Sequence, residues 1–200
     1  MKKPAPLGVV ILAGGRGQRM GGQDKGWIRY QGKYLIMQVL DQFKCQFDGP
    51  LVISANRHLE DYRQFGFPVI ADQDVITLDY AGPLVGVLGA METGLAKYWL
   101  CWPVDAPYLP SNYVTEMTAL IEQHQPLLVQ TWCADQLEPL QMAMADACST
   151  WLRPFLLNGN RAVKAWSDAV STAYPEQTVQ RHLSQISGIN INSPADLNDA

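Results

Sequence analysis

Leu7-Gly8-Val9-Val10-Ile11-Leu12-Ala13-Gly14-Gly15-Arg16-Gly17-Gln18-Arg19-Met20-Gly21-Gly22-Gln23-Asp24-Lys25-Gly26 begins as a short apolar run and breaks abruptly into glycines and cations. The run Leu7–Ala13 is rich in branched residues and far too short to span a bilayer, so it reads as a strand buried on both faces. After it, closely spaced glycines let backbone N–H groups turn toward an anion with no Cβ in the way, while Arg19 and Lys25 supply cations for phosphate oxygens. The loop is not a G-x-x-x-x-G-K-[ST] motif: Gly32-Lys33 is preceded at the required position by Trp27 and followed by Tyr34. Nor is it G-x-G-x-x-G, because Met20 takes the last glycine position after Gly15 and Gly17. A third kind of nucleotide loop is required.

Outward from this segment, apolar runs alternate with helix-period stretches, the mark of a mostly parallel sheet covered on both faces. The predicted strands are Leu7–Ala13, Leu51–Ala55, Phe67–Ala71, Tyr98–Val104 and Leu127–Trp132. Ile36, Val39, Leu40 and Phe43 share one helical face, as do Leu84, Leu88, Met91 and Leu95. Ser111 is the expected N-cap of a helix carrying Val114, Met117 and Ile121. In the last third, Met142–Met144 and Gly188–Asn190 read as short strands, Thr150–Leu157 and Ala162–Trp166 as helical pieces. With no repeat or linker-like stretch, residues 1–200 are expected to form a single domain.

In an open α/β sheet, ligands bind outside the carboxyl ends of the strands. Just past four of the predicted strands stand the glycine loop, Asn56-Arg57, Asp72 and Asp105, all on one sheet edge. Asp105 follows an apolar strand between Pro103 and Pro107, and a hard cation such as Mg²⁺ takes one or two such carboxylates. By itself, however, Asp-x-Pro reads equally as a turn former. Asn56 offers donor and acceptor to a purine edge or ribose, or else caps a helix. Asp72 is a ligand or a loop residue, and its charge is expected to crowd that of Asp105.

Bulk properties narrow the field. The formal net charge of −4 argues against a nucleic-acid binder, and a hydrophobic content of 48% over 200 residues supports one full core. Cys45, Cys101, Cys133 and Cys148 form no C-x-x-C pair, so they read as packed thiols, not as a zinc site or disulfide frame. No address signal or membrane-spanning segment is seen, which points to the cytoplasm and to no membrane partner. His58, His124 and His182 share no ligand spacing, and the six tryptophans read as core or cleft wall.

The glycine loop resembles the L-x-G-G-x-x-x-R-M-G signature, followed closely by a lysine, of the nucleotidyltransferase superfamily in its molybdenum cofactor guanylyltransferase branch. The resemblance continues through Asn56, Asp72, Gly82-Pro83-Leu84-Val85-Gly86, Pro103-Val104-Asp105-Ala106-Pro107 and Asn190-Ile191-Asn192-Ser193-Pro194. It implies a Rossmann-like three-layer α/β fold of the nucleotide-diphospho-sugar transferase type, with a nucleotide-binding part at about 7–110 and an acceptor-side part at about 111–200. It also implies transfer of GMP from GTP to molybdopterin with Mg²⁺, and transient contacts with other cofactor-biosynthesis proteins and recipient molybdoenzymes. Arg19, Lys25 and Asp105 are then catalytic, with Asp105 the metal ligand. Leu12, Ala13, Gly14, Gly15, Lys25, Asn56, Asp72 and Asp105 bind nucleotide, and Arg161, Asn190 and Asn192 face the acceptor. The chain departs from the pattern between Leu137 and Ser187, where Glu138-Pro139-Leu140-Gln141 replaces a histidine before the proline in some relatives. Competing readings are a cytidylyl or sugar-phosphate nucleotidyltransferase, and a non-catalytic nucleotide-binding regulator.

Overall fold

A computed structural model describes residues 5–15, 21–77, 82–133, 135–183, 190–191 and 196. Along the chain run β1 (Ala5–Leu12), a small hairpin of β2 (Arg29–Tyr30) and β3 (Lys33–Tyr34), α1 (Leu35–Lys44), β4 (Leu51–Ser54), α2 (Leu59–Arg63) and β5 (Val69–Ile70). There follow α3 (Asp72–Val75), α4 (Pro83–Glu92), β6 (Ala96–Pro103), α5 (Tyr113–His124), β7 (Leu128–Cys133), β8 (Gln136–Ala145), α6 (Ser149–Leu157), α7 (Val163–Ala173) and β9 (Thr178–Leu183).

The main sheet has 7 strands in the order β5-β4-β1-β6-β8-β7-β9. β1 pairs in parallel with β4 on one side and β6 on the other, and only β8 runs against its neighbours. This central place explains the unbroken apolar run: Val9, Val10 and Ile11 are fully buried because helices cover both faces. Val9 and Ile11 pack with Ile36, Val39 and Phe43 of α1 and Met117 of α5. Val10 and Leu12 pack on the other face with Leu84 and Leu88 of α4, Leu152 of α6 and Trp166 of α7.

Helix α4 is apolar all round, and Leu84 through Met91 are all buried, as expected for a helix enclosed on every side. Gly86 makes its close approach possible: a Cβ there would lie 2.1 Å from the Ser54 hydroxyl and 2.5 Å from the Ser54 Cβ. Any side chain would lift the helix off the sheet, and with it the Gly82-Pro83 start of α4 that borders the cleft described below.

Several expectations change. Leu95 lies beyond the end of α4 and is 41% exposed, so it is not part of that helix face. The N-cap of α5 is Asn112, not Ser111. β8 is far longer than Met142–Met144, and β7 shifts register against it between Val129 and Thr131. β9 is an edge strand parallel to β7 that the sequence reading missed. Trp99 and Trp102 are core, whereas Trp151 is 40% exposed and stacks on Tyr174. Cys101 and Cys148 are buried, as read, and burial first of all pushes the Cys148 thiol up to about 12; Cys45 is exposed. Residues 188 and 189 of the expected last strand lie outside the described residues, and Asn190 is in no strand.

Candidate active site

The chain travels outward from β1 through β4 to β5, then returns to place β6 on the other side of β1. That reversal opens a crevice above the carboxyl ends of β1 and β6. The two ends are held level: Leu12 stands opposite Pro103, and the Val104 amide donates to the Leu12 carbonyl at 3.1 Å. A cleft of about 150 Å³ lies there, bordered by Leu12, Ala13, Gly14, Gly15, Lys25, Asn56, Asp72, Gly82, Asp105 and Leu140 among others. Every residue expected to bind nucleotide therefore borders one cavity. Arg19 and Asn192 lie outside the described residues.

Lys25 and Asp105 meet across this cleft, 80 residues apart in sequence, as an ion pair between Nζ and Oδ2. Their side chains are 21% and 15% exposed, shielded enough for the pairing to matter yet open to a ligand. Lys25 opens a short 3-10 turn, Lys25–Trp27, capped by Asp24. The buried Asp24 carboxylate accepts from the Gly26 amide at 3.1 Å and from the Tyr62 hydroxyl at 2.7 Å. Tyr62 is fully buried, and desolvation first, then the Asp24 charge, raises its pKa far above the ordinary tyrosine range; it is a permanent donor to Asp24. Only glycine fits at position 26, since a Cβ would stand 2.1 Å from the Tyr62 oxygen. Asp24 is thus the anchor of the turn that presents Lys25.

Asn56 borders the cleft and also has a structural task. Its amide donates to the Gly14 carbonyl at 3.3 Å and its oxygen accepts the Asp72 amide at 2.8 Å, so it ties the first loop to the start of α3. Asp72 begins that helix, and burial raises its pKa while the Asn56 contact opposes the rise. On the other flank, the Ile191 amide donates to the Asp105 carbonyl at 2.7 Å and brings Asn190 to Glu138, whose carboxylate accepts from the Asn190 amide at 3.4 Å. Burial raises the Glu138 pKa, Asn190 lowers it, and the Asp105 charge raises it. The Asp105 charge bears on Glu138, a neighbour from β8 that the sequence does not pair with it. The Arg161 stem packs against Gly82 at the start of α4, while its guanidinium donates to the Leu156 and Asn160 carbonyls at 2.8 and 2.7 Å.

The MobA-like NTP transferase domain family matches residues 9–173, a span that holds both members of the Lys25–Asp105 pair and all the cleft residues above. The chain belongs to this family. It is 32% identical over 188 residues to the molybdenum cofactor guanylyltransferase of Shewanella sediminis, covering 94% of this chain and 92% of that protein. Among solved structures it resembles molybdopterin-guanine dinucleotide biosynthesis protein A from Archaeoglobus fulgidus, with a TM-score of 0.73 and 20% identity over 96% of this chain and 95% of that one. It also resembles Rv0371C of Mycobacterium tuberculosis, solved in complex with manganese, with a TM-score of 0.72 and 12% identity over 98% and 97% of the two chains.

Within the MobA-like frame, three residues around the cleft have roles that the sequence alone does not assign. Tyr62 is the one buried residue of the short helix α2, and Glu138 lies in the stretch that departs from the family pattern. Arg57 follows Asn56 directly but was given no role; its guanidinium reaches the carbonyls of Gly22, Gly15 and Gln23 at 2.6, 3.0 and 3.3 Å.

Proposed function

We propose that this chain transfers the guanylyl group of GTP to molybdopterin with release of pyrophosphate, that Mg²⁺ is its metal, and that residues 1–200 act as one domain in the cytoplasm. The observation that carries the proposal is the Lys25–Asp105 pair at the centre of the sheet edge, with Asn56 and Asp72 on one flank and Glu138 and Asn190 on the other. In this reading the base and ribose lie toward β4 and β5, the phosphates over β1 and β6, and the acceptor toward β8. Membership of the MobA-like family and likeness to a molybdenum cofactor guanylyltransferase support the same reading.

Among the described residues no group of three or more His, Cys, Asp or Glu side chains could hold a metal by itself. The cleft carboxylates Asp105 and Asp72 suit Mg²⁺, which takes one or two carboxylates and completes its shell with water and substrate phosphate. Asp105 is the residue to hold it, since its carboxylate borders the cleft and already receives a cation, Lys25. When bound, the ion neutralises charge gathering on the leaving pyrophosphate. The chain's own groups do the rest by placement and charge. Lys25, and Arg19 from the same loop, meet the triphosphate oxygens. The Leu12–Gly15 backbone receives the nucleoside, with Asn56 and Asp72 closing that side. Arg161, Asn190 and Asn192 face the acceptor.

The nucleotide preference follows from guanine's donor edge, because a site built to accept those N–H groups leaves buried polar atoms unpaired when cytosine enters. Calorimetric titration should show GTP binding more than about tenfold tighter than CTP, or roughly 1.4 kcal/mol. A smaller gap would move the chain to cytidylyl transfer.

A further inference from the structure

We infer that Arg57 is a positioning residue for the nucleotide, a clamp that ties Gly15 to Gly22 and Gln23 and fixes the carbonyls at the two described ends of the glycine-rich loop. The inference rests on the GTP reading above and adds to it a residue that stands outside the cleft lining. One planar guanidinium takes the carbonyls of Gly15 on one side of the loop and of Gly22 and Gln23 on the other. Asn56 takes the Gly14 carbonyl from the same turn. Four carbonyl oxygens at the loop's two ends are therefore bound to donors from the segment after β4. This suits a loop that must receive polyanionic phosphates, since carbonyl oxygens turned toward phosphate repel it and amide N–H groups attract it.

The clamp is itself firmly mounted. His58 adopts φ +49°, in the left-handed region, and turns the chain sharply from β4 into α2, where the Tyr62 amide donates to the His58 carbonyl at 3.1 Å. Arg57 also lies close enough to Tyr62 for its charge to oppose the rise in the tyrosine pKa. A lysine cannot substitute, because a point charge on a flexible stem does not span three carbonyls as a forked, planar group does.

Lys25 is held by other contacts, through Asp24, Tyr62 and Gly26, and Asp105 by the Ile191 amide on its carbonyl and by Lys25 itself. Loss of the clamp should therefore weaken nucleotide binding far more than turnover. In calorimetry, Arg57→Ala should raise the Kd for GTP by about tenfold or more, while in steady-state assays kcat falls by less than about threefold and the KM for molybdopterin holds. Arg57→Lys should stay nearer the alanine variant than the wild type, and guanidinium ion added to Arg57→Ala should restore GTP affinity where ammonium does not. If the alanine variant loses its cooperative thermal transition, Arg57→Gln carries the same test. Unchanged GTP affinity in the variants, or a loss confined to kcat, overturns the role of Arg57. Wild-type protein that binds no GTP overturns the functional reading instead.

Discussion

Asp105→Asn should lower magnesium-dependent guanylyl transfer by at least about 100-fold, the lower range for losing one electrostatic stabiliser in a reaction that accumulates charge. Asparagine nearly preserves size and the Pro103–Pro107 backbone, but it removes the anion that Lys25 faces. It also removes the charge that presses on Glu138. Losing a partly exposed ion pair and relieving a like-charge neighbour act in opposite directions, each within about 1 kcal/mol, so the thermal midpoint should move little. Pyrophosphate release measured across magnesium concentrations checks the prediction. Retention of more than about a tenth of the wild-type rate would pass the metal to another carboxylate, and Glu138 is then the residue to test. Asp24 is not, because its carboxylate is already engaged by Gly26 and Tyr62.

Lys25→Ala should cost about 100-fold in kcat while leaving guanosine binding close to wild type, because the ammonium meets charge on the triphosphate and not the base. The 3-10 turn that presents Lys25 stays anchored by Asp24, which separates loss of the charge from loss of the loop. Single-turnover rates and a guanosine titration on the same variant check both halves. Full activity at saturating GTP would reduce Lys25 to a cation that merely balances Asp105.

What the sequence made legible, and what it hid, divides along physical lines. β1, β4 and β6 could be read because strands covered on both faces must be apolar throughout, and the polar residues just past them then had to share one edge. β9 escaped notice because Thr178–Leu183 is an edge strand with polar composition, including an Arg181 that is buried only through tertiary contact with Glu116 and the Tyr113 ring. Residue types pointed to Lys25 and Asp105, but nothing in the sequence showed that they pair. The Asn56 amide offers a donor and an acceptor by residue type alone, but that its two ends tie Gly14 to Asp72 is visible only in the fold. Arg57 and Tyr62 act on a loop 34 to 42 residues away, a distance over which local pattern carries no signal.

GTP labelled on its α-phosphate, incubated with magnesium and molybdopterin, measures the proposed transfer directly. The label should pass to the pterin acceptor in step with pyrophosphate release, and CTP should substitute poorly. Label that stays in GTP, or passes to the acceptor equally well from CTP, would contradict a guanylyl transferase built around Lys25 and Asp105.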